Sequence, residues 1–275
     1  MAYGNRAQLL VNGYFNKAIS PFDRGFAYGD GIFRTLKMAN GLPKHWPQHY
    51  QKLVADCAVI GIVCPSAELL MNDLQQLFTI DEIAVAKIMI TRGESEQGYA
   101  PPAITTPMRV IVKSAMRQYD ETNYTEGVHL HVCETRLGVQ AKLAGIKHLN
   151  RLENVMARME WQDDTYFDGL MLNQQNDVIE CTMSNIFARF NDKLLTPDLS
   201  QCGVAGITRQ GIIGLAAALN ISIETAQLPL NRLVQADEII VCNSLYGAFQ
   251  VHSILNISWK PQALAKKIRN LLTYD

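Results

Sequence analysis

At 275 residues, the chain is long enough for two modest domains that each bury a core, and we expect two. Hydrophobic residues make up 48% of the sequence and charged residues 19%, a composition that excludes a disordered protein. The formal net charge is −1, with acidic and basic residues interspersed. The sequence therefore predicts no basic surface for binding nucleic acid or an anionic membrane.

The cysteines and the apolar segments bear on the cellular compartment. No C-x-x-C pair occurs, and most cysteines have apolar neighbours, so we expect buried thiols in a reducing environment. The N-terminal segment lacks a basic stretch followed by an apolar run of signal-peptide length, and the other apolar runs are too short to span a bilayer. We therefore expect a cytoplasmic protein. The cysteines are Cys57, Cys64, Cys133, Cys181, Cys202 and Cys242.

The first part of the chain predicts an α+β unit. Strands joined by tight turns are expected from LLVNGYF through the glycine-rich stretch that ends at the second Asn-Gly. Helices follow from about Pro47 to Ile60 and from Pro65 onward, because apolar residues recur there at helical spacing. Two alternating strands come next, and a polar connector after residue 116 places a boundary between domains 1–118 and 119–275.

The second part of the chain predicts a larger sheet with helices. A strand containing His129 and His131 opens it, and several strands separated by polar turns follow. GVAGITRQGIIGLAAALN is typical of a glycine-containing turn that enters a helix, which Asn220 would end. The two histidines lie on one strand face, but no further cluster of ligands accompanies them, so we predict no metal site.

Lys147 stands in the segment LAGIKHLNRLENVMA, between an apolar run and a predicted helix. Asn150 followed by Glu153 is typical of an N-cap with a carboxylate in the first helical turn, so the helix should begin just after the lysine. The positive end of the helix dipole disfavours a second positive charge, which favours the neutral amine that attacks a carbonyl. A surface lysine is the alternative, because most lysines are exposed.

Two other segments suggest what the lysine does. In VIECTMSNIF, Glu180 is predicted to share a strand face with Thr182 and Ser184, which directs the carboxylate toward polar surroundings. In GVAGITRQG, the amides of Ile207 and Thr208 open a helix whose N-terminus suits a phosphate. Alone, these patterns also fit an exposed glutamate and a helix cap without a ligand. Together with the lysine, they predict pyridoxal 5′-phosphate, which has an aldehyde, a basic ring nitrogen and a phosphate.

The chain resembles the fold type IV pyridoxal-phosphate enzymes in the order and spacing of four segments: DRGFAYGDGIF, LAGIKHLNRLE, VIECTMSNIF and GVAGITRQ. The resemblance covers nearly the whole chain. It implies a D-amino acid aminotransferase-like fold of two α/β domains, with a smaller N-terminal domain and a larger C-terminal domain that carries the lysine and the phosphate site. It also implies that the cofactor lies in the cleft between the domains and that the protein is a homodimer.

The same resemblance implies roles for individual residues. Lys147 would form the Schiff base with the cofactor and carry protons. Glu180 would contact the pyridine nitrogen, and the phosphate would be held by Ile207, Thr208 and Ser244. In HYQKL these enzymes usually have an arginine that binds the phosphate, where this chain has Lys52. A lysine supplies the charge but lacks the bidentate fork, so phosphate affinity is expected to differ.

Residues that differ from aminotransferases of this fold favour a carbon–oxygen lyase. D-amino acid aminotransferases hold the substrate carboxylate with an arginine and a histidine where TRGESEQGY has Gln97 and Tyr99. They also have a tyrosine at the position of Phe33, and branched-chain aminotransferases favour a glutamate at the position of Arg34. Both aminotransferase activities remain alternatives, as does a non-catalytic module that binds a phosphorylated small molecule.

The expected substrate is a small molecule with carboxylates, and several polar residues are candidates to bind it. Tyr28 is predicted either to line the pocket or to pack in the core. The other candidates are Tyr99, Arg92, Arg34 and Asn243.

Overall fold

The computed structural model describes residues 8–15, 17–96, 98–162 and 164–273. Its residues cluster in two compact units, one of residues 1–117 with 147–150 and the other of residues 118–146 with 151–275. The domain boundary at residue 118 remains a prediction. The segment 147–150, which the sequence places in the second domain, clusters with the first unit.

The first unit is built on an antiparallel sheet, whose strands within the described residues follow the order β2-β1-β6-β5-β3-β4. Helices α2 and α3 supply the leucines that pack with the sheet in one apolar core. The elements are β1 (Leu9–Val11), β2 (Tyr14–Phe15), α1 (Arg24–Tyr28), β3 (Gly31–Ala39), β4 (Leu42–Pro43), α2 (Trp46–Val59), α3 (Ala67–Leu77), β5 (Ala84–Thr91) and β6 (Met108–Ala115).

A short helix interrupts the segment where the sequence predicts only strands and turns. Asp23 caps α1 by accepting the amides of Gly25 and Phe26 through one carboxylate oxygen, at 2.9 and 3.2 Å. Its other oxygen accepts the hydroxyl of Thr91 at 2.7 Å. Five residues carry too little periodicity to predict a helix, so the tertiary contact to β5 helps to select it.

The lysine segment lies along the first half of β3. Phe33 donates its amide to the carbonyl of Lys147 at 2.9 Å, and Leu149 donates to the carbonyl of Gly31, also at 2.9 Å. Ile32 and His148 form an antiparallel bridge between these two bonds. The backbone around Lys147 is therefore held like one more short strand beside β3.

The second unit contains a mixed sheet with the order β12-β11-β10-β13-β14-β7-β8-β9 in the described residues, and β15 pairs with β14. Strands β8 and β14 are buried along most of their length, whereas β7, which pairs with both in parallel, alternates between buried and more exposed residues. The elements are α4 (Glu121–Thr125), β7 (Val128–Leu137), α5 (Leu152–Arg158), β8 (Asp168–Asn173), β9 (Val178–Cys181), β10 (Asn185–Phe190), β11 (Lys193–Pro197), α6 (Ile207–Gly214), α7 (Ala216–Leu219), β12 (Ser222–Ala226), α8 (Leu230–Leu233), β13 (Glu238–Asn243), β14 (Gly247–Ile254), β15 (Ile257–Ser258) and α9 (Leu264–Leu271).

The predicted cap of α5 is wrong. The helix begins at Leu152, and its N-cap is Arg151, which makes no side-chain cap. Asn150 instead donates its side-chain amide to the carbonyl of Gly29 at 3.0 Å, and Glu153 accepts the amide of Gly138 at 2.9 Å. Both side chains are used by loops distant in sequence, which local patterns do not reveal.

The segment predicted as one glycine-initiated helix forms two, because α6 ends at Gly214 and α7 follows it. Asn220 does end the helical segment, as the C-cap of α7, in the left-handed conformation with φ of 53°. All six cysteines are free thiols, and five of them are buried. Over the described part of the chain, no helix is both long enough and apolar enough to cross a membrane.

Candidate active site

Lys147 is fixed in the first unit by contacts to both of its backbone groups. Its carbonyl accepts the amide of Phe33, and its own amide donates to Oδ2 of Asp56 at 3.3 Å. Asp56 is only 1% exposed and lies on α2, one turn after Lys52. The position of the Lys147 backbone therefore depends on a strand and on one buried carboxylate.

The side chain of Lys147 lies over the ring of Phe33, with Nζ 4.7 Å from the ring centroid. Nζ of Lys87, on β5, lies 4.9 Å from the same centroid. A phenyl ring attracts an ammonium by its quadrupole but offers no strong hydrogen-bond acceptor. Phe33 therefore lies beside the amine without forming a strong hydrogen bond to it.

Asp56 also pairs with two cations. Its carboxylate accepts from the guanidinium of Arg34 and from the ammonium of Lys52. Burial lowers the pKa of Arg34, and the negative charge of Asp56 opposes that shift. Burial likewise lowers the pKa of Lys52, again against the effect of Asp56. One carboxylate therefore stabilises two cations in surroundings that disfavour charge.

His49 lies on the same helix, buried and neutral. Burial, followed by the charge of Arg34 and by His45, lowers the pKa of His49 to about 3. The helix therefore contributes Lys52 as a positive group, Asp56 as a negative group and His49 as an uncharged one. Because Lys52 belongs to this cluster, it remains our candidate for a phosphate-binding cation.

In the second unit, Glu180 lies on β9, paired with Met171 of β8, and is buried. Its Oε2 accepts the amide of Val204 at 2.9 Å. The predicted strand face shared with Thr182 and Ser184 is wrong, because β9 ends at Cys181.

The two hydroxyls serve another carboxylate. Thr182 and Ser184 donate to Asp168 at 2.6 and 2.7 Å, and Tyr246 donates to the hydroxyl of Ser184 at 2.7 Å. Burial raises the pKa of Asp168, and the donated hydrogen bonds oppose this shift. This network stabilises the corner of the chain that follows Glu180. Its hydroxyls bind Asp168 and not Glu180.

The loop before α6 is held by Asn185 as well as by Glu180. Asn185 donates to the carbonyl of Val204 at 2.8 Å and accepts the amide of Gly206 at 3.0 Å. A Cβ at Gly206 would lie 2.4 Å from Oδ1 of Asn185, so only glycine fits this approach. Through this loop, the positions of Glu180 and of the start of α6 within the second unit are linked.

The start of α6 has the features of an anion site. Gly206 is the N-cap, no side chain caps the helix, and Thr208 in the first turn is buried. The first amides of any α-helix lack acceptors within the helix, and the dipole there favours an anion. Ile207 and Thr208 therefore offer the chemistry that a phosphate requires.

Two candidate substrate residues make structural contacts in the first unit. Arg92 pairs with Asp30 through two nitrogens, at 2.7 and 2.9 Å, and donates to the carbonyls of Ile60 and Gly61 at 2.6 and 2.9 Å. Arg34 is buried against Asp56. These contacts give both arginines a structural role, and their binding of a substrate carboxylate remains a prediction.

The tyrosine candidates lie next to each other at the surface of the first unit. The rings of Tyr28 and Tyr99 have centroids 5.3 Å apart, and Tyr99 is 84% exposed. Tyr28 ends α1 and is 38% exposed, which contradicts the alternative that it packs in the core. Gln97 lies outside the described residues.

Asn243 shapes the turn that carries Ser244. Its side-chain oxygen accepts the amides of Leu245 and Tyr246 at 2.9 and 3.2 Å. Its side-chain amide donates to the carbonyl of Met183 at 3.4 Å. Asn243 therefore orders the turn, and roles in substrate binding for Asn243 and in phosphate binding for Ser244 remain predictions.

The paired histidines have separate partners. Nδ1 of His129 lies 2.6 Å from the hydroxyl of Ser253, whereas Nε2 of His131 lies 3.2 Å from Glu160. Among the described residues, no group of three or more His, Cys, Asp or Glu residues is arranged to hold a metal ion.

Comparison with known proteins places this arrangement in a family. Residues 31–254 match the model of the family described as amino-transferase class IV. The chain belongs to the class IV aminotransferase family. Members of this family, which has the fold type IV architecture, use pyridoxal 5′-phosphate, as the sequence predicted.

Proteins similar to this chain are named as lyases or as aminotransferases. An aminodeoxychorismate lyase of Vibrio harveyi is 37% identical over 89% of this chain and 90% of its own length. The crystal structure of 4-amino-4-deoxychorismate lyase from Pseudomonas aeruginosa is also 37% identical, with a TM-score of 0.92 over 97% of this chain and 98% of its own. A D-alanine aminotransferase of Listeria monocytogenes is 28% identical over 86% of this chain and 84% of its own length.

The described residues fit the family's cofactor. Lys147 has the primary amine that a Schiff base requires, and Glu180 is a buried carboxylate of the kind that would suit a ring nitrogen. The first turn of α6, with Thr208, has no side-chain cap at its N-terminus and would suit a phosphate. Sequence reasoning missed Asp56 and Asn185, although the i, i+4 spacing of Lys52 and Asp56 on a predicted helix was a visible signal.

Proposed function

We propose that this protein is a 4-amino-4-deoxychorismate lyase, which uses pyridoxal phosphate to convert its substrate into 4-aminobenzoate and pyruvate for folate biosynthesis. The similarity to two lyases, each 37% identical and matched over most of both chains, is the observation that carries this proposal. The amine of Lys147, the buried carboxylate of Glu180 and the buried Thr208 in the first turn of α6 support it further.

The cofactor, when bound, supplies an aldehyde that takes up a primary amine and a pyridinium ring that accepts an electron pair. Lys147 would provide the protein's amine for that aldehyde, and its free amine would be the base of the reaction. Its Nζ takes the proton from the substrate ring carbon that bears the nitrogen. The enolpyruvyl ether bond on the neighbouring carbon then breaks, and the released enol becomes pyruvate after protonation.

Glu180 holds a proton at the pyridine nitrogen, because a buried carboxylate next to that nitrogen favours its protonated form. The hydrogen bond from Val204 keeps Oε2 in place, so the carboxylate does not have to reorganise during the reaction. Formation of an aromatic ring drives the elimination, which leaves positioning of the substrate carboxylates as the main task of the pocket.

The direct test supplies 4-amino-4-deoxychorismate to the protein loaded with pyridoxal phosphate and measures both products over time. Equal amounts of pyruvate and 4-aminobenzoate, formed over many turnovers, are expected. Absence of both products from protein that has taken up the cofactor would refute the lyase. A colourless protein that borohydride does not label would instead support the non-catalytic binding module.

Aminotransferase activity is the second candidate, supported by the likeness to the Listeria D-alanine aminotransferase. Phe33, Arg34 and Tyr99 stand where aminotransferases of this fold have other residues, which disfavours it as the main activity. Measuring pyruvate formed from D-alanine, and the keto acid formed from leucine, with 2-oxoglutarate as acceptor separates the candidates. We expect rates far below the lyase rate.

We also propose that the protein is a homodimer, as the family resemblance implies, and that it is cytoplasmic, as the cysteines and the apolar segments of the sequence predict. Light scattering coupled to size-exclusion chromatography should give twice the 30.7 kDa mass of the chain. A monomer at micromolar concentration would contradict this proposal without affecting the proposed reaction.

A further inference from the structure

We propose that Asp56 is a positioning residue for Lys147, a role that rests on the proposed function of the lysine. Its carboxylate receives the Lys147 amide and the cationic groups of Arg34 and Lys52. It therefore fixes the backbone from which the reactive amine extends and sets the charge beside it.

The geometry makes this carboxylate hard to replace. Asp56 is 1% exposed and lies in the last turn of α2, a helix anchored in the core by Leu53 and Cys57. Because Leu53 and Cys57 pack in the core, the helix is fixed, and so is the Asp56 carboxylate that accepts the Lys147 amide. The side chain that organises the lysine therefore lies on a rigid element and not on a loop.

The main-chain contacts around Lys147 are of two kinds, those made to other main-chain atoms and one made to a side chain. The Phe33 amide and the antiparallel bridge next to it use only main-chain atoms, which any sequence could supply. Within the first unit, Asp56 adds a contact to the Lys147 main chain that depends on a side chain. Substitution of Asp56 therefore tests whether a side chain holds the Lys147 backbone in position.

The charges near Lys147 in the first unit follow from the same arrangement. Arg34 on β3, Lys52 on α2 and Lys87 on β5 are positive, whereas Asp56 is the negative member of this set. Loss of the Asp56 charge would leave these cations uncompensated and make a proton at the Lys147 nitrogen less favourable.

The experiment uses the full-length protein, with pyridoxal phosphate added, and compares Asp56→Asn with the wild type. Asparagine keeps an oxygen that can accept the Lys147 amide but removes the charge. We expect the pH midpoint of the cofactor's visible absorbance change to fall by about one unit. Asp73→Asn is the matched control, because Asp73 is also a buried aspartate paired with an arginine in the first unit, and it should leave the midpoint unchanged.

Asp56→Asn leaves the buried Arg34 without its anion and could prevent folding. The double variant Arg34→Met, Asp56→Leu removes both charges, and such apolar replacements of buried pairs are often tolerated. In protein labelled with 15N-lysine and 15N-leucine, the Lys147 amide should exchange with solvent at least about tenfold faster in this variant, since its acceptor is gone. The Leu149 amide, which donates to a main-chain carbonyl, should keep its protection.

The result that overturns the proposal is unchanged protection of the Lys147 amide in the double variant. An unchanged absorbance midpoint in a folded Asp56→Asn variant, or an equal shift in Asp73→Asn, also overturns it. Failure of the proposed function is recognised separately. The wild type would then lack product or cofactor absorbance, while the amide exchange of Lys147 still reports on Asp56.

Discussion

Oε2 of Glu180 accepts the amide of Val204 at 2.9 Å, which connects β9 to the loop that enters α6. In the proposed function, Glu180 is both the hydrogen-bond acceptor of this loop and a charge for the cofactor. These two roles can be separated, because a glutamine still accepts the amide but has no negative charge.

Glu180→Gln should therefore lower turnover by about 100-fold while changing the affinity for pyridoxal phosphate much less. Steady-state kinetics and a cofactor titration of the same preparation measure the two effects. Glu238→Gln is the control, because Glu238 is also buried on a strand of the second unit, where it pairs with Arg189. That variant should lose stability but keep its turnover, and equal loss of turnover in both would contradict our assignment of Glu180.

Lys147→Ala should reduce lyase turnover by at least about 1,000-fold and leave the fold intact. The fold should survive because the hydrogen bonds to the Phe33 amide and the Asp56 carboxylate use the backbone of Lys147 and not its side chain. Product formation and circular dichroism check the two parts. Lys142→Ala, a change at an exposed lysine five residues earlier, should behave like the wild type. Wild-type turnover in Lys147→Ala would remove the lysine from the mechanism.

Gly206→Ala should weaken binding of pyridoxal phosphate by about tenfold, equivalent to about 1.4 kcal/mol. The added methyl group would collide with Asn185 and displace the loop that leads into α6. A titration followed by the visible absorbance gives the dissociation constant. Gly214→Ala, at the other end of α6, meets no atom within 4 Å and should leave this affinity unchanged. Equal affinities in both variants would argue against a phosphate at the start of α6.

The stability of the protein should depend on the charge state of His49. Burial, with the charge of Arg34, lowers the pKa of His49 from 6.5 to about 3, so below pH 6.5 the unfolded chain binds a proton that the folded protein does not. Stability contributed by the neutral ring should fall by about 1.4 kcal/mol for each pH unit from about 6.5 toward 3. Urea denaturation at pH 7, 6 and 5 should show a shallower pH dependence in His49→Gln.

The wild type provides the comparison at each pH. If His49→Gln keeps the pH dependence of the wild type, the loss of stability in acid comes from groups other than His49.

Local sequence was sufficient where one segment carried its own evidence. The helix with Leu53 and Cys57, the helix start after Gly206, the left-handed stop at Asn220 and the strand with Glu180 were predicted from periodicity and turn residues. The family and its cofactor were predicted as well, because the lysine, glutamate and glycine segments occur in a characteristic order.

Predictions failed where a side chain is used by a distant segment. Asn150 matched an N-cap pattern but donates to Gly29, and Ser184 matched a strand face but donates to Asp168. In each case the local pattern was compatible with the sequence, but a contact far along the chain was more favourable.

The sequence by itself determined the chemical groups of this protein: an amine at Lys147, a carboxylate at Glu180 and a helix start at Ile207. Only the tertiary structure decided which groups hold them, because Asp56 is 91 positions from Lys147, and Val204 is 24 from Glu180. Residue types and spacing specify which chemistry is available. Burial of a carboxylate beside particular donors is set by packing of the whole unit, which no local pattern encodes.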